Sequence, residues 1–568
     1  MLKTWTSHDP SPAPPDFASE LAVSPLVASL LWQRGYRTAE SARRFLDPVL
    51  DDLEDPFAYL DMPKAVERIR RAIAKNEHIL IYGDYDVDGI TGSAILFRIL
   101  REKGARVDAY IPNRMRDGYG MKRAALEGAL SKDTALVIAV DNGIAASPEI
   151  EFLASKKIDA IVVDHHVPQG PLPAAAVAVV SAERREGAGE SPLAACGLAF
   201  KLGWALEESL DAVKRHLDLV ALGTIADLAP LTGENRVLAR YGLDELAVTS
   251  KKGLAALLGL LQLNGRRLSS ENVAFGIAPR LNAAGRMGSA EDAFALLVTE
   301  SGVEAENLVR ILDQSNTQRR KVERDAFREA LEQVETGHHF GRDRVIVVAS
   351  DRWHEGIAGI LAARLVERFH RPSFVIAVRE GFGKGSGRSI PNFLLFQSLE
   401  RCAGLFESFG GHHFACGLHI REERIAEFRA QINRVAQDLI APESLAAHIE
   451  IDAEAELAAL DPGVFADLAR FEPCGAGNPA PVFLTRGLRV KSECRSAGKY
   501  GSTFWLEDSE GRAMAEATAF RQKFDFTAGT ILDVVYRPAF SEWRGIPALE
   551  LAVEDVRVIR AGGAEESA

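Results

Sequence analysis

Cysteine pairing is the first thing missing. The 568-residue chain has five cysteines, at 196, 402, 416, 474 and 494, and none forms a CxxC pair. That scatter argues against a zinc site or a disulfide framework and fits a reducing, cytoplasmic setting. No run approaches the ~18 consecutive apolar residues of a membrane-spanning helix. The amino terminus, MLKTWTSHDPSPAPPDF, lacks the apolar core of a signal peptide. Net positive charge is missing too, since 67 Lys and Arg stand against 80 Asp and Glu, a formal charge of −13. Avidity for polyanions through net charge alone is thereby excluded, whereas a local basic groove is not. With 47% hydrophobic and 26% charged residues, the composition is that of a globular protein too long for a single core.

What is present is acid, concentrated in one place. Residues 81–92 read IYGDYDVDGITG, with Asp84, Asp86 and Asp88 at alternate positions before Gly89. A calcium loop of the D-x-D-x-D-G kind is the first reading, and it fails. Its closing Glu would fall on Ile95, and the preceding HILIYG is an aliphatic strand rather than a helix. The cluster therefore lies between a buried strand and a helix over roughly 90–103, the edge where open α/β sheets place their chemistry.

The same punctuation recurs. TALVIAV (134–140) runs into Asp141-Asn142-Gly143, AIVV into Asp164-His165-His166, and LVALGTIADLAPL delivers Asp227. Between about 60 and 230, short aliphatic runs alternate with amphipathic helices, which predicts a mainly parallel sheet. Parallel strands joined by crossovers share one carboxyl edge, so Asp86, Asp141 and His165 are expected side by side. Any one such Asp could be a helix cap and nothing more. Together they would repel one another and raise one another's pKa unless cations neutralised them. Oxygen-rich ligation with an imidazole suits Mn²⁺ or Mg²⁺ better than Zn²⁺. The carboxylates suffice for two ions, and the reaction class is phosphodiester or phosphoanhydride hydrolysis.

GDYDVDG, VDNG, VVDHHVP and LGTIADLAPL resemble the four motifs of the DHH phosphoesterase superfamily. From about residue 20 to 558 the chain is similar to the RecJ-type single-strand-specific exonucleases. The resemblance implies a single-strand-specific 5′→3′ DNA exonuclease that releases 5′-mononucleotides by a two-metal mechanism, in DNA recombination and repair. It implies Asp86, Asp88, Asp141, His165 and Asp227 as ligands of two Mn²⁺ or Mg²⁺ ions, Asp141 bridging, with Asp84 in the same cluster. His166 would orient the site or contact the scissile phosphate. The sequence departs from the superfamily at Tyr82, where a His often stands, which puts the ligand set of one metal in question.

The implied fold is α/β: a DHH domain with a mainly parallel sheet, a long connecting helix, a DHHA1 α/β domain and a carboxy-terminal all-β OB-fold. The expected boundaries are a helical segment at 1–50, the catalytic domain at 51–300, the connecting helix at 301–340, DHHA1 at 341–445, the barrel at 446–560 and a disordered tail at 561–568. The charged stretch near 303–336 reads either as a plainly solvated helix or as one that also joins two lobes. After 448 the period changes to short alternating strands, as in a small barrel.

The resemblance also implies contacts to the 5′-terminal phosphate and first nucleotides. These fall on Gly410, Gly411 and His412 (in ESFGGHHFACG), on Ser386 and Arg388, on His354 at a helix start, and on Arg114 and Arg280. Asn282 and Arg286 lie in the same PRLNAAGRMG stretch as Arg280. Each Arg could instead bridge the lobes as an ion pair. In the barrel, Phe504, Trp505, Tyr536, Phe540 and Trp543 lie among Arg495, Lys499, Arg537 and Arg544. Some are core; the rest would stack bases while the cations follow the backbone. A groove over lobes and barrel would select single strands by width. The expected partners are single-stranded DNA, a single-strand-binding protein and a helicase, with the enzyme a monomer. Two rivals remain: a small-substrate phosphodiesterase or pyrophosphatase of the same superfamily, and a catalytically dead scaffold.

Overall fold

The structure, a computed structural model, describes residues 3–7, 13–114, 116–118, 120–168, 170–184, 192–498, 501–520, 522–543 and 546–561. The chain divides into two compact units. One comprises Glu54–Ala229 and Leu238–Ala447; the other comprises Lys3–Leu53, Pro230–Val237 and the chain from His448.

At the centre of the first unit is a five-stranded sheet in the order Arg106–Tyr110, His78–Tyr82, Thr134–Val140, Asp159–Val163, Ala178–Val180. Every pairing in it is parallel. His78–Tyr82 is buried at all five positions, as expected of an aliphatic run enclosed on both faces. The edge strand RVDAY escaped the sequence reading because charges interrupt its apolar period.

A 36-residue helix, Gly302–Gly337, begins at Ser301, whose hydroxyl accepts the Glu304 N–H. Its buried positions run from Ala305, Leu308, Val309 and Leu312 to Ala326, Ala330 and Val334. The last three share a core with Ile346, Val348 and Leu361 of the next lobe. Of the two readings of this charged stretch, the joining helix is the one observed.

The second lobe carries a mixed sheet in the order Phe406–Gly411, Ala415–Arg421, Phe382–Arg388, Ser373–Arg379, Ile346–Ser350. In the strand FGKGSGR the glycines alternate and leave one face open to close packing. A Cβ on Gly383, Gly385 or Gly387 would approach Ile376, Leu418 or Phe374 to between 2.5 and 2.8 Å. Phe382, Lys384, Ser386 and Arg388 share the opposite face.

In the second unit, residues 18–48 are broken into the helices Pro15–Leu21, Pro25–Gln33 and Ala39–Leu46. The breaks fall where Ala22 and Gly35 take positive φ, and Ser24 and Thr38 cap the helices that follow. These helices share a core with the strands after 483. Phe483–Val490 pairs with both Gly501–Glu507 and Ile531–Trp543, which closes five strands into a barrel of OB type. Arg236, fully enclosed, donates to the carbonyls of Phe45, Arg470 and Phe471, which attaches residues 230–237 to this unit.

Among the barrel aromatics, Phe504 and Tyr536 are core residues, the Tyr536 hydroxyl lying 2.7 Å from Thr485 Oγ1. Trp505 is 39% exposed. Lys499 and Arg544, the side chains of Phe540 and Trp543, and the tail from 562 lie outside the described residues.

Candidate metal centre

Each acidic group at the sheet edge is held by a backbone device that the local sequence supplies. Asp86 caps the helix Val87–Glu102, its Oδ1 accepting the N–H groups of Asp88 (3.0 Å) and Gly89 (3.2 Å). Gly89 has to be glycine, since a Cβ there would lie 2.7 Å from Asp84. Asp88 is buried and accepts the N–H groups of Ala195 (2.7 Å) and Cys196 (2.8 Å) at the start of another helix. Asp141 follows its strand in a left-handed conformation, φ 62°. Asp227 caps the carboxyl end of Leu217–Ala226.

These side chains meet. His165 Nε2 lies 3.3 Å from Asp141 Oδ1 and 3.8 Å from both Asp88 Oδ2 and Asp227 Oδ2. Potential ligand atoms converge within 4.8 Å in three groups: Asp84, Asp86 and Asp141; Asp88, His165 and Asp227; and Asp141, His165 and His166. The first two groups are disjoint, and the third links them through Asp141 and His165. All seven residues expected at this site are thus at one edge.

The electrostatics match a site built for cations. Burial, with the charge of Asp86, raises Asp84 well above the usual carboxylate range. Burial and Asp88 raise Asp86; burial, Asp86, Asp88 and Asp84 raise Asp141 well above the usual carboxylate range. Asp227 is pushed up to about 8 by burial and by Asp88 and Asp86. Among the described residues, no hydrogen-bond donor pairs with the buried Oδ1 atoms of Asp84 and Asp141. Unpartnered carboxylate oxygens facing a shared space are what a divalent cation satisfies, and the donor set fits Mn²⁺ or Mg²⁺.

Asp164, unassigned by sequence, orients the neighbouring imidazole. It is buried, accepts the Ile144 N–H (3.0 Å), and its Oδ1 lies 2.7 Å from His166 Nδ1. Against the cost of burial, that contact pushes His166 up to about 9 and holds Asp164 low. Its place as first letter of the DHH triplet was the available signal. Tyr82, at the departure from the superfamily pattern, is fully buried with its ring 5.4 Å from that of Tyr110. It belongs to the core cluster with Leu80 and Val137.

Beside the acids stands a group of arginines. The Arg114 guanidinium lies 5.2 Å from the Tyr85 ring centre. Gly285 lets its helix approach the Tyr85 carbonyl, 2.9 Å from where a Cβ would sit, and brings Arg286 alongside. Burial, Arg114 and Arg319 lower Arg286 to about 10, and Arg388 adds to the crowding. Burial also lowers Arg388, with Arg114 contributing. Arg388 Nη1 donates to Ser386 Oγ (3.0 Å) and to the Gly387 carbonyl (2.8 Å). The cluster is therefore Arg114, Arg286, Arg319 and Arg388. Arg280 stands differently: its Nε donates to Asp313 (2.9 Å) on the long helix and its Nη1 to Gly276 O.

His354 caps the turn before Ala358–Phe369, its Nδ1 accepting the Gly356 N–H (3.1 Å). Gly410 and Gly411 end a strand paired with Gly417 and Cys416. Gly411 needs its φ of 138°, and the exposed His412 closes the hairpin by donating its N–H to Ala415 O (2.8 Å). This hairpin lies one strand from Ser386 and Arg388, which pair with Gly417 and Ala415.

A carboxylate–imidazole cluster at the carboxyl edge of a parallel sheet, faced by guanidiniums, defines a metal-dependent phosphoesterase. The profile of the DHH family, N-terminal domain, matches residues 78–224, that of the DHHA1 domain 342–438, and that of the RecJ OB domain 451–555. The chain belongs to the RecJ family of that class. It is 36% identical to the single-stranded-DNA-specific exonuclease RecJ of Bacillus subtilis (strain 168), over 95% of this chain and 69% of that one. The crystal structure of RecJ from Thermus thermophilus in complex with Mn²⁺ matches with TM-score 0.82 and 31% identity, covering 98% of this chain and 79% of the other. The corresponding Mg²⁺ complex matches with TM-score 0.77 and 29% identity, covering 98% and 78%.

Proposed function

We propose that the protein is a single-strand-specific 5′→3′ DNA exonuclease, holding two Mn²⁺ or Mg²⁺ ions and releasing 5′-mononucleotides in recombination and repair. The observation that carries this reading is the pair of disjoint ligand groups linked by Asp141 and His165. One ion would be held by Asp84, Asp86 and Asp141, the other by Asp88, His165 and Asp227, with Asp141 between them. When bound, such ions polarise the scissile phosphate and lower the pKa of an attacking water.

The chain's own groups do the rest. The Asp164 contact orients the His166 ring and favours its protonated form, from which Nε2–H would donate to a phosphoryl oxygen. Arg114, Arg286 and Arg388 are crowded cations that an anionic 5′-phosphate relieves, and Ser386 adds a hydroxyl. Gly410, Gly411, His412 and His354 border that phosphate site in this reading, whereas the Asp313 pair gives Arg280 a structural role. Contacts to phosphate carry no base sequence, which suits an enzyme that digests any strand. A single-strand-binding protein and a helicase would supply the strand to a monomeric enzyme, and the free cysteines support a cytoplasmic location.

The test is digestion of end-labelled 5′-phosphorylated 40-mers, single-stranded and duplex, with Mn²⁺, Mg²⁺ or EDTA. Mononucleotides should leave the 5′ end of the single strand only when metal is present. Faster turnover of dinucleotides than of the 40-mer would instead identify a small-substrate phosphodiesterase. Absence of metal-dependent cleavage would favour the dead scaffold.

A further inference from the structure

Two large apolar side chains stand in solvent immediately after residues of the acidic edge. Val167 follows His166 and is 65% exposed; Leu228 follows Asp227 and is 69% exposed. Leu228 also holds a backbone conformation that side chains disfavour, with φ 62°. It is the first residue beyond the Asp227 cap. Its N–H donates to Ile225 O (3.3 Å) and that of Ala229 to Thr224 O (3.2 Å). These are the paired bonds of a Schellman closure, in which glycine is the favoured residue. A leucine there is unfavourable twice, through its left-handed backbone and through apolar surface left in water. A glycine would make the same two bonds, so the end of the helix does not require the side chain.

The neighbours indicate what would cover it. Asp227 Oδ2 lies 3.8 Å from His165 Nε2, so a phosphodiester at the metal centre brings its own nucleoside beside residue 228. Carboxylates, imidazoles and arginines account for the phosphates. The remaining broad apolar surface of a nucleotide is the face of its base, on which aliphatic groups pack without reading sequence.

We infer that Leu228, with Val167 on the adjoining segment, contacts the nucleobase beside the scissile phosphate and positions that nucleotide for cleavage. This rests on the nuclease reading above and adds to it a contact on the base side. Strain at a functional edge is a known use of stability, and here it keeps an apolar side chain exposed where the strand arrives.

Leu228→Gly tests this directly, because it relieves the backbone while removing the contact. Its melting temperature should equal that of the wild type or exceed it by about 2 °C, while kcat/KM on a 5′-phosphorylated single strand falls about tenfold. Leu228→Asn, which also tolerates the left-handed region, should behave likewise, and Leu228→Met should restore activity. A strand whose first two nucleotides lack bases supplies the second arm. The wild type should lose about as much on it as Leu228→Gly loses on normal DNA, and the variant should lose little more. Wild-type kcat/KM in Leu228→Gly, or a deficit of that variant relative to the wild type that is as large on the abasic strand as on normal DNA, would overturn the inference alone. A wild type that leaves single-stranded DNA intact would overturn the nuclease reading and this inference with it.

Discussion

The acidic edge and the arginine cluster are two versions of one electrostatic problem with the sign reversed. At the edge, burial and like charge raise Asp84, Asp86, Asp141 and Asp227. In the cluster, the same two causes lower Arg286, with Arg114, Arg319 and Arg388 as neighbours. Neither arrangement is favourable alone, and each is relieved by a ligand of opposite charge. The two differ in how they are anchored. Asp86 and Asp88 are fixed by backbone N–H groups of helix starts, whereas Arg388 is held by one hydroxyl and a carbonyl of its own strand. Asp88 is thus held from outside its own helix, whereas Arg388 is held from within its own strand.

That contrast can be attacked at three levels. The largest effect should come from Asp141→Ala, which removes the carboxylate common to two ligand groups. Mn²⁺-dependent nuclease activity should fall by roughly a thousandfold or more, with single-strand affinity in a gel-shift or anisotropy assay largely kept. Full activity in this variant would remove the basis of the metal assignment. Next in size, Arg388→Ala and Arg286→Ala should each lower kcat/KM on 5′-phosphorylated DNA by about 10- to 100-fold, chiefly through KM, since charge-assisted bonds of this kind are worth ~1.5–3 kcal/mol. Arg280→Ala, which breaks the Asp313 pair, should change it less than about threefold. The reverse ranking would move the phosphate site to Arg280.

The smallest effect concerns stability. Asp227 rises from 3.8 to about 8 on folding, so the native state retains a proton that the unfolded chain has released. Stability from this group is full below pH 3.8 and is lost as pH climbs through about 8. The melting temperature of EDTA-treated protein should therefore decline by a few degrees between pH 5 and pH 8. Mn²⁺ should raise it, and by more at the upper end, because metal competes with those protons. A flat profile without metal would show that the carboxylates do not crowd one another in solution.

The acidic edge was legible because its parts are local and punctuated. Each acid follows an aliphatic run or ends a helical one, and parallel crossover topology carries such positions to one rim wherever they lie in the chain. The arginines were only partly legible. Arg280 and Arg286 occupy the same short stretch, and nothing local distinguishes them. Gly285 brings one alongside Tyr85, and Asp313 takes the other. Arg319 was not visible at all, because it sits in a charged helix where many Arg look alike. The strand FGKGSGR was missed because glycine hides a strand's period, and the broken helices before residue 48 were smoothed over by their shared apolar spacing.

Residue order alone sufficed for the class of fold, the metal-binding chemistry and the family, since these depend on spacing within short segments. Two things required the folded chain. One is which cations of a like-charged set meet across lobes; the other is that a leucine after Asp227 is held strained and in water. The first depends on contacts between residues distant in sequence and the second on a backbone dihedral angle, and neither leaves a periodic trace in the chain.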